Sequence, residues 1–245
     1  MNTIGNQKTP EPETRNARGF TLIELLVVIS IIGVLAGFTI PVLMSVKRQQ
    51  YIKVARAELE QLQTALENYK AKYGVYPPSN QNLASSTYQP ALLSQLYYEL
   101  SGVTRTTIGG VDYYVTLDGS AQIAETDVPK AYGVGGFINA TKGTGEDAAP
   151  AQNFLSGLKA NQLNSFITNG PPVTGIRTTE LVTAVGGPDQ TYQPLGGAGI
   201  NPFRYLYPGT NNPGSYDLWV QLVIRGKTNL ICNWSKQVLI NAPLP

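Results

Sequence analysis

A long apolar run near the N-terminus dominates the hydrophobic pattern of this chain. Residues 1–19 are polar, whereas residues 20–46 are overwhelmingly apolar and carry a single charged side chain, Glu24. A helix rises about 1.5 Å per residue, so this run is long enough to cross a hydrocarbon core of about 30 Å. The apolar part of a secretory signal is shorter, about 7–15 residues. The pattern therefore predicts a polar leader over 1–19 and a membrane-spanning helix over 20–46.

Beyond residue 46 the apolar positions become periodic and predict the distal half of the same helix, over residues 47–74. They recur at alternating steps of three and four residues, which places them on one helix face. Gly74 and the Pro77-Pro78 pair end the pattern. We expect this amphipathic face to pack on the domain that follows. Its members are Ile52, Ala55, Leu59, Leu62, Leu66, Tyr69 and Tyr73.

Residues 75–245 have the mixed pattern of one α+β domain, with a small antiparallel sheet and short helices. The fold class predicted for the whole chain is α+β, with the long N-terminal α-helix packed on this domain. Two glycine-rich stretches complete no phosphate-binding motif and are interpreted as turns. The expected helices are 90–102 and 151–166, the strands 111–117, 203–207, 216–224 and 229–234, the surface loops 141–150 and 168–201, and the glycine turns 133–136 and 196–199.

Composition excludes several classes of chemistry. The chain has no histidine and one cysteine, which removes histidine relays and cysteine-cluster metal sites. Its 18 Lys and Arg against 16 Asp and Glu leave a net charge of +2, with no basic stripe for a nucleic acid. Cys232 is predicted to be a buried strand residue, since no histidine could activate it. We therefore predict no catalytic residue, no cofactor or metal site and no nucleic-acid partner. We also predict that the protein is not an enzyme.

The segment at residues 18–26, Arg-Gly-Phe-Thr-Leu-Ile-Glu-Leu-Leu, resembles the processing signal of type IV pilins and type II secretion pseudopilins. The resemblance implies a prepilin leader that ends at Gly19, cut by prepilin peptidase before Phe20, whose new amine is then methylated. A carboxylate deep in lipid costs about 2.5–3.5 kcal/mol and is usually paired. In this family the partner of the residue at Glu24 is the α-amine of a neighbouring subunit.

Three further residues of the run, Gly33, Gly37 and Pro41, fit either close helix packing or, by the resemblance, a segment that unwinds within a filament. The resemblance also places the leader in the cytoplasm, a single pass in the inner membrane, and the C-terminal domain in the periplasm. The partners that it implies are prepilin peptidase, identical and related pseudopilin subunits in a periplasmic filament, the inner-membrane secretion assembly platform and the lipid bilayer.

Short motifs near the end of the chain resemble major type II secretion pseudopilins as well. Those proteins usually bind calcium in the loop after the Asp-Leu-aromatic strand. Here that stretch, residues 220–227, contains no carboxylate and includes Arg225 and Lys227, so that Asp217 is its nearest acid. Calcium prefers six to eight oxygen ligands, and we therefore predict no calcium site of this kind. The motifs are residues 69–77, 201–205, 207–209, 216–219 and 233–234.

The first functional hypothesis is a structural subunit of a type II secretion pseudopilus that supports protein export. A type IV pilin, or a pilin-like subunit for adhesion or DNA uptake, is the second. The third is an anchored periplasmic binding domain or enzyme that does not polymerise. Residues 80–200 carry no part of the resemblance to these families.

Overall fold

The computed structural model describes residues 19–82, 92–143, 149–155, 157–170, 173–187, 192 and 194–243, and only the backbone of residues 38–45. The chain divides into two compact units, Met1–Val46 and Lys47–Pro245. Helix α1, Leu22–Tyr73, contributes to both. A long N-terminal helix followed by a domain of small antiparallel sheets and short helices confirms the predicted α+β class.

Nine strands of the described residues form three antiparallel sheets in the second unit. The first sheet has the order β1-β2-β3, the second consists of β4 and β5, and the third has the order β6-β7-β8-β9. The strands are β1 Val103–Ile108, β2 Val111–Thr116, β3 Gln122–Ala124, β4 Leu163–Ile167, β5 Arg177–Leu181, β6 Arg204–Leu206, β7 Asp217–Ile224, β8 Lys227–Cys232 and β9 Leu239–Ile240.

Two short helices and two 3₁₀ turns complete the described elements. Helix α2 is Leu96–Ser101, helix α3 is Val128–Tyr132, and the 3₁₀ turns are Glu125–Asp127 and Ala160–Gln162. Gly102 ends α2 with a φ of 70°, and a Cβ at this position would lie 2.9 Å from the carbonyl oxygen of Gln152. A glycine is therefore required where the chain leaves α2 for β1.

The distal half of α1 supplies one side of the core of the second unit. Leu59, Leu66 and Tyr69 are at most 1% exposed, and they pack in one cluster with residues of α2 and of all three sheets. This confirms the predicted amphipathic face. Tyr73 is only partly buried, and its hydroxyl donates to Asn139 Oδ1 at 2.6 Å.

Several predicted elements are confirmed. Strand β2 matches the strand expected over 111–117 to within one residue. The bounds of β6, β7 and β8 lie within two residues of those expected for the strands at the end of the chain. Helix α2 forms the last part of the helix expected over 90–102. Residues 92–95 are not helical, so that part of the prediction is wrong, and residues 90–91 lie outside the described part. Residues 144–148 of the expected loop lie outside it as well. The glycine turn at 133–136 begins as the left-handed cap of α3, where Gly133 N–H donates to Pro129 O.

Two predictions for the middle of the chain are wrong. The described part of 151–166 contains no α-helix, only the 3₁₀ turn at residues 160–162. Near its start, Asn153 Oδ1 accepts the N–H of Leu155 at 2.7 Å, and such local bonds compete with helical ones. Its last residues begin β4. The stretch 168–201 is not only surface loop, since it contains β5, which pairs with β4 and buries most of its residues.

Candidate processing and assembly segment

The predicted cleavage point lies in exposed, non-helical backbone. Gly19, Phe20 and Thr21 precede the first residue of α1, and the Phe20 side chain is 85% exposed. No atom beyond the neighbouring residues lies within 4 Å of the position that a Cβ on Gly19 would take. The peptide bond between Gly19 and Phe20 is thus open to approach from outside.

Thr21 and Glu24 form a reciprocal cap at the start of α1. The Glu24 carboxylate accepts the Thr21 backbone N–H at 2.8 Å and the Thr21 hydroxyl at 2.6 Å. In return, the Glu24 N–H donates to the Thr21 hydroxyl oxygen at 3.3 Å. This is the capping box of a threonine followed three positions later by a glutamate, and it satisfies backbone donors that a helix N-terminus leaves unpaired.

The cap gives Glu24 a local role that the sequence analysis missed. The signal was present, because Thr-x-x-Glu before an apolar run is a known start of a helix. A carboxylate in the first turn also interacts favourably with the positive end of the helix dipole. Pairing of Glu24 with the amine of another subunit is a separate matter and stays a prediction.

The apolar side chains that follow the cap are exposed in the isolated chain. Their exposed fractions run from 46% at Val28 to 81% at Leu22. The one polar side chain of the next turns, Ser30, donates its hydroxyl to Leu26 O at 2.7 Å and so presents little unmet polarity. Within the described residues, no helix has the combined length and apolarity required of a membrane span.

The three predicted assembly residues beyond Glu24 all lie in α1. An added Cβ on Gly33 or Gly37 would have no neighbour within 4 Å, so nothing described in this chain requires a glycine at either position. Pro41 falls in the stretch whose side chains are outside the described residues.

Buried carboxylates join the middle of the chain to α1 and α2. Glu99 of α2 is fully buried and accepts the N–H groups of Ile138 and Asn139, at 2.9 and 3.0 Å, and the Tyr69 hydroxyl at 2.9 Å. Burial raises the pKa of Glu99, against the hydrogen bonds that lower it. No sequence motif indicated this role, because all its partners are at least thirty positions away in the chain.

Glu180 of β5 makes a second buried anchor. Its Oε2 accepts the Ser94 N–H at 2.9 Å, and its Oε1 accepts the Tyr132 hydroxyl at 3.3 Å. Complete burial raises the pKa of Glu180 well above its ordinary value. A third anchor is Glu58 of α1, which accepts the Thr183 hydroxyl at 2.6 Å.

Asp217, the one acid near the predicted calcium-free loop, is fully buried and saturated by the chain itself. One of its oxygens accepts the backbone and side-chain N–H groups of Asn211, at 2.8 and 3.0 Å. The other accepts those of Asn212, at 3.0 and 3.1 Å. The stretch 220–227 forms most of the β7–β8 hairpin. Among the described residues, no three His, Cys, Asp or Glu side chains group together as metal ligands would.

Cys232 lies in β8, as predicted. It is 1% exposed and packs with Trp219 and Leu230 in a small apolar cluster separate from the main core. Burial raises the pKa of its thiol, which disfavours the reactive thiolate.

Comparison with known proteins agrees with the features of the N-terminal segment. The family model described as the prokaryotic N-terminal methylation motif matches residues 14–40. The type II secretion system core protein G of Escherichia coli is 43% identical over 79 residues, which are 32% of this chain and 54% of that protein. The core protein G of Pseudomonas aeruginosa is 36% identical over 78 residues, 32% of this chain and 55% of that protein.

The core protein G of Vibrio cholerae is 37% identical over 76 residues, 31% of this chain and 52% of that protein. The chain is thus similar to type II secretion system core protein G over about a third of its own length. The resemblance read from residues 18–26 is thereby confirmed. The chain spans about half the length of the curated relatives that it matches. No solved structure matches it.

Proposed function

We propose that this protein is a type II secretion pseudopilin, a structural subunit of the pseudopilus with no enzymatic activity of its own. Prepilin peptidase removes residues 1–19, and the new Phe20 amine is methylated. The apolar part of α1 anchors the subunit in the inner membrane, with the domain beyond residue 46 in the periplasm. Together with identical and related pseudopilins and the assembly platform, it then forms the filament that supports export.

The observation that carries this proposal is that an exposed cleavage point is followed directly by a helix whose apolar side chains are also exposed. Residues 22–35 bury no apolar face against the described part of the chain, so contact of this surface with water would cost free energy in proportion to the exposed area. Lipid before assembly and neighbouring helices after assembly would each cover this surface. Gly33 and Gly37 would allow such helices to approach closely.

The decisive measurement is the intact mass and N-terminal sequence of the protein recovered from membranes of cells that contain prepilin peptidase. The proposal expects a chain that begins at N-methylated Phe20. A chain that still begins at Met1, or one cut within the apolar run, would contradict it.

A matched pair of variants separates the two roles that Glu24 could have. Glu24→Gln removes the negative charge needed to pair with an amine, while Thr21→Ala removes the capping hydroxyl and leaves the charge. If charge pairing directs assembly, Glu24→Gln abolishes filaments and Thr21→Ala keeps most of them. Cross-linking of subunits in membranes measures both, with N-terminal mass as the control for processing.

Equal loss of filaments in the two variants would mean that assembly requires the cap as well as the charge, because a glutamine at position 24 can still form the capping box. Filaments of Glu24→Gln at wild-type levels would contradict charge pairing, whereas a wild-type protein that forms no filaments would favour the anchored, non-polymerising domain. A surface pilus for adhesion or DNA uptake would instead appear as filaments outside the outer membrane at normal expression.

A further inference from the structure

The outer edge of β1 carries backbone groups that no strand of the described residues pairs. A two-residue turn joins β1 to β2, so Ile108 and Val111 form the first hydrogen-bonded pair and every second residue of β1 bonds to β2. The residues between them, Val103, Arg105 and Thr107, therefore turn their N–H and C=O groups away from β2.

Val103 is the one residue of these three whose outward groups are paired within the described chain. Its N–H donates to Asn139 O at 3.0 Å, and its C=O accepts the N–H of Thr141 at 2.9 Å, in a short parallel bridge. The outward groups of Arg105 and Thr107 have no such partner in the described part. Residues 139–141 thus pair with the first residue of this edge, and no described residue pairs with the rest of it.

A cleft of about 560 Å³ lies along this open edge. One side is formed by β1 and its hairpin partner, and the other by Thr141 and Gly143. Among the described residues, neither of these two makes a backbone hydrogen bond to Arg105 or Thr107. The residues that line the cleft are Thr104, Arg105, Thr107, Asp112, Thr141 and Gly143.

The charged side chains at the cleft are paired with one another, and one arginine with two carboxylates leaves a net charge of −1. Arg105 contacts Asp112 at 3.0 Å and Glu125 at 2.5 Å, and the Thr107 hydroxyl donates to Asp112 Oδ1 at 2.6 Å. No unpaired charge among these residues therefore favours an ionic ligand. What the cleft offers is two N–H and two C=O groups at a spacing of two residues, which is the pattern of an extended peptide backbone.

We propose that the outer edge of β1, over residues 105–108, binds an extended peptide segment of a partner protein by strand addition. The added strand would continue the three-stranded sheet and take up the outward groups of Arg105 and Thr107. Four residues in extended conformation span about 13 Å. A second copy of β1 is disfavoured, because it would bring β2 and β3 into a cleft bounded by Thr141 and Gly143.

The test uses the full-length processed protein in detergent micelles and a capped eight-residue peptide of alternating threonine and valine with a lysine at each end. Amide hydrogen exchange, followed by NMR, reports each backbone N–H separately. With saturating peptide, exchange at Arg105 and Thr107 is expected to slow by about tenfold or more, as for amides that enter a strand pair. Unchanged exchange at both residues would overturn the proposal.

A pair of variants at one position supplies the control. Thr107→Pro removes the outward N–H without disturbing a bond to β2, whereas Thr107→Val loses the same hydroxyl and keeps the N–H. Peptide binding should fall about tenfold or more in Thr107→Pro and stay within about twofold of wild type in Thr107→Val. Equal binding by both variants, or slowed exchange that depends on protein concentration without peptide, would contradict binding of a partner segment at this edge.

Discussion

The two halves of α1 are built from the same kinds of residue and end in opposite environments. Between residues 22 and 35 the leucines, isoleucines and valines are all exposed, while Leu59 and Leu66 in the distal half are at most 1% exposed. The distal half carries charges on its other faces, and the proximal half carries none after Glu24. An amphipathic helix is covered by its own domain, whereas a helix that is apolar all round requires a partner outside the chain.

The carboxylates of the two regions differ in the same way. Glu24 is exposed and bound only by its neighbour Thr21, three positions away. Glu99 and Glu180 are buried and bound by groups far along the chain. A local cap forms wherever the helix starts, but a buried carboxylate exists only when the whole domain is folded, because an unpaired buried charge is too costly.

The largest expected effect tests the apolar contrast directly. Leu59→Ala should lower the free energy of unfolding of the domain by about 2–5 kcal/mol, because it leaves a cavity in the core. Leu26→Ala, at an exposed position of the same helix, should change it by less than about 0.5 kcal/mol. Urea unfolding of the full chain in micelles, followed by near-ultraviolet circular dichroism, measures both. Similar values for the two variants would break the comparison.

A smaller effect is expected from the saturated carboxylate of Asp217. Asp217→Asn places an amide N–H₂ against N–H donors of Asn211 or Asn212, so at least one buried donor loses its acceptor. The expected loss of stability is about 1–3 kcal/mol. Asn211→Ala, which removes one side-chain donor and leaves the carboxylate and the backbone bonds, is the matched control in thermal unfolding and should cost less. A larger loss in Asn211→Ala would mean that the turn, and not the carboxylate, holds this region.

The smallest effect concerns the pH dependence of stability. Burial raises the folded-state pKa of Glu180, so its contribution to stability is fully present below the unfolded pKa and is lost as the pH rises through the folded value. Above about pH 4.3, the unfolded pKa, wild-type stability should therefore fall, by at most about 1.4 kcal/mol per pH unit for this group.

Glu180→Gln should remove that part of the slope. The amide oxygen can still accept the Ser94 N–H, and the amide nitrogen can donate to the Tyr132 hydroxyl, so the packing is kept. Chemical unfolding from pH 3 to pH 8 is the measurement, and the two proteins should agree most closely at pH 3. A variant with the wild-type slope would assign the pH dependence to other groups, such as Glu99 or Glu58, whose pKa values are also raised by burial.

The features predicted correctly are those whose cause lies within a few neighbouring residues. Step spacing of apolar residues identified the buried face of α1, and β-branched and aromatic runs identified β2, β7 and β8. The helix expected over 151–166 and the loop expected over 168–201 failed together, because β4 and β5 stabilise each other by pairing. Neither strand has a strong alternation of apolar and polar residues in its own sequence. Pairing between segments that are distant in sequence therefore overrides the local secondary-structure preference of each.

The sequence by itself determined the processing motif, the place where α1 begins and ends, and which half of it could be buried by its own domain. Only the tertiary structure decided which groups meet Glu99, Glu180 and Asp217, and which edge of β1 stays open. The physical reason is range: helix periodicity, caps and turns act over three or four residues. A buried hydrogen bond or an added strand, in contrast, depends on segments that only the folded chain brings together.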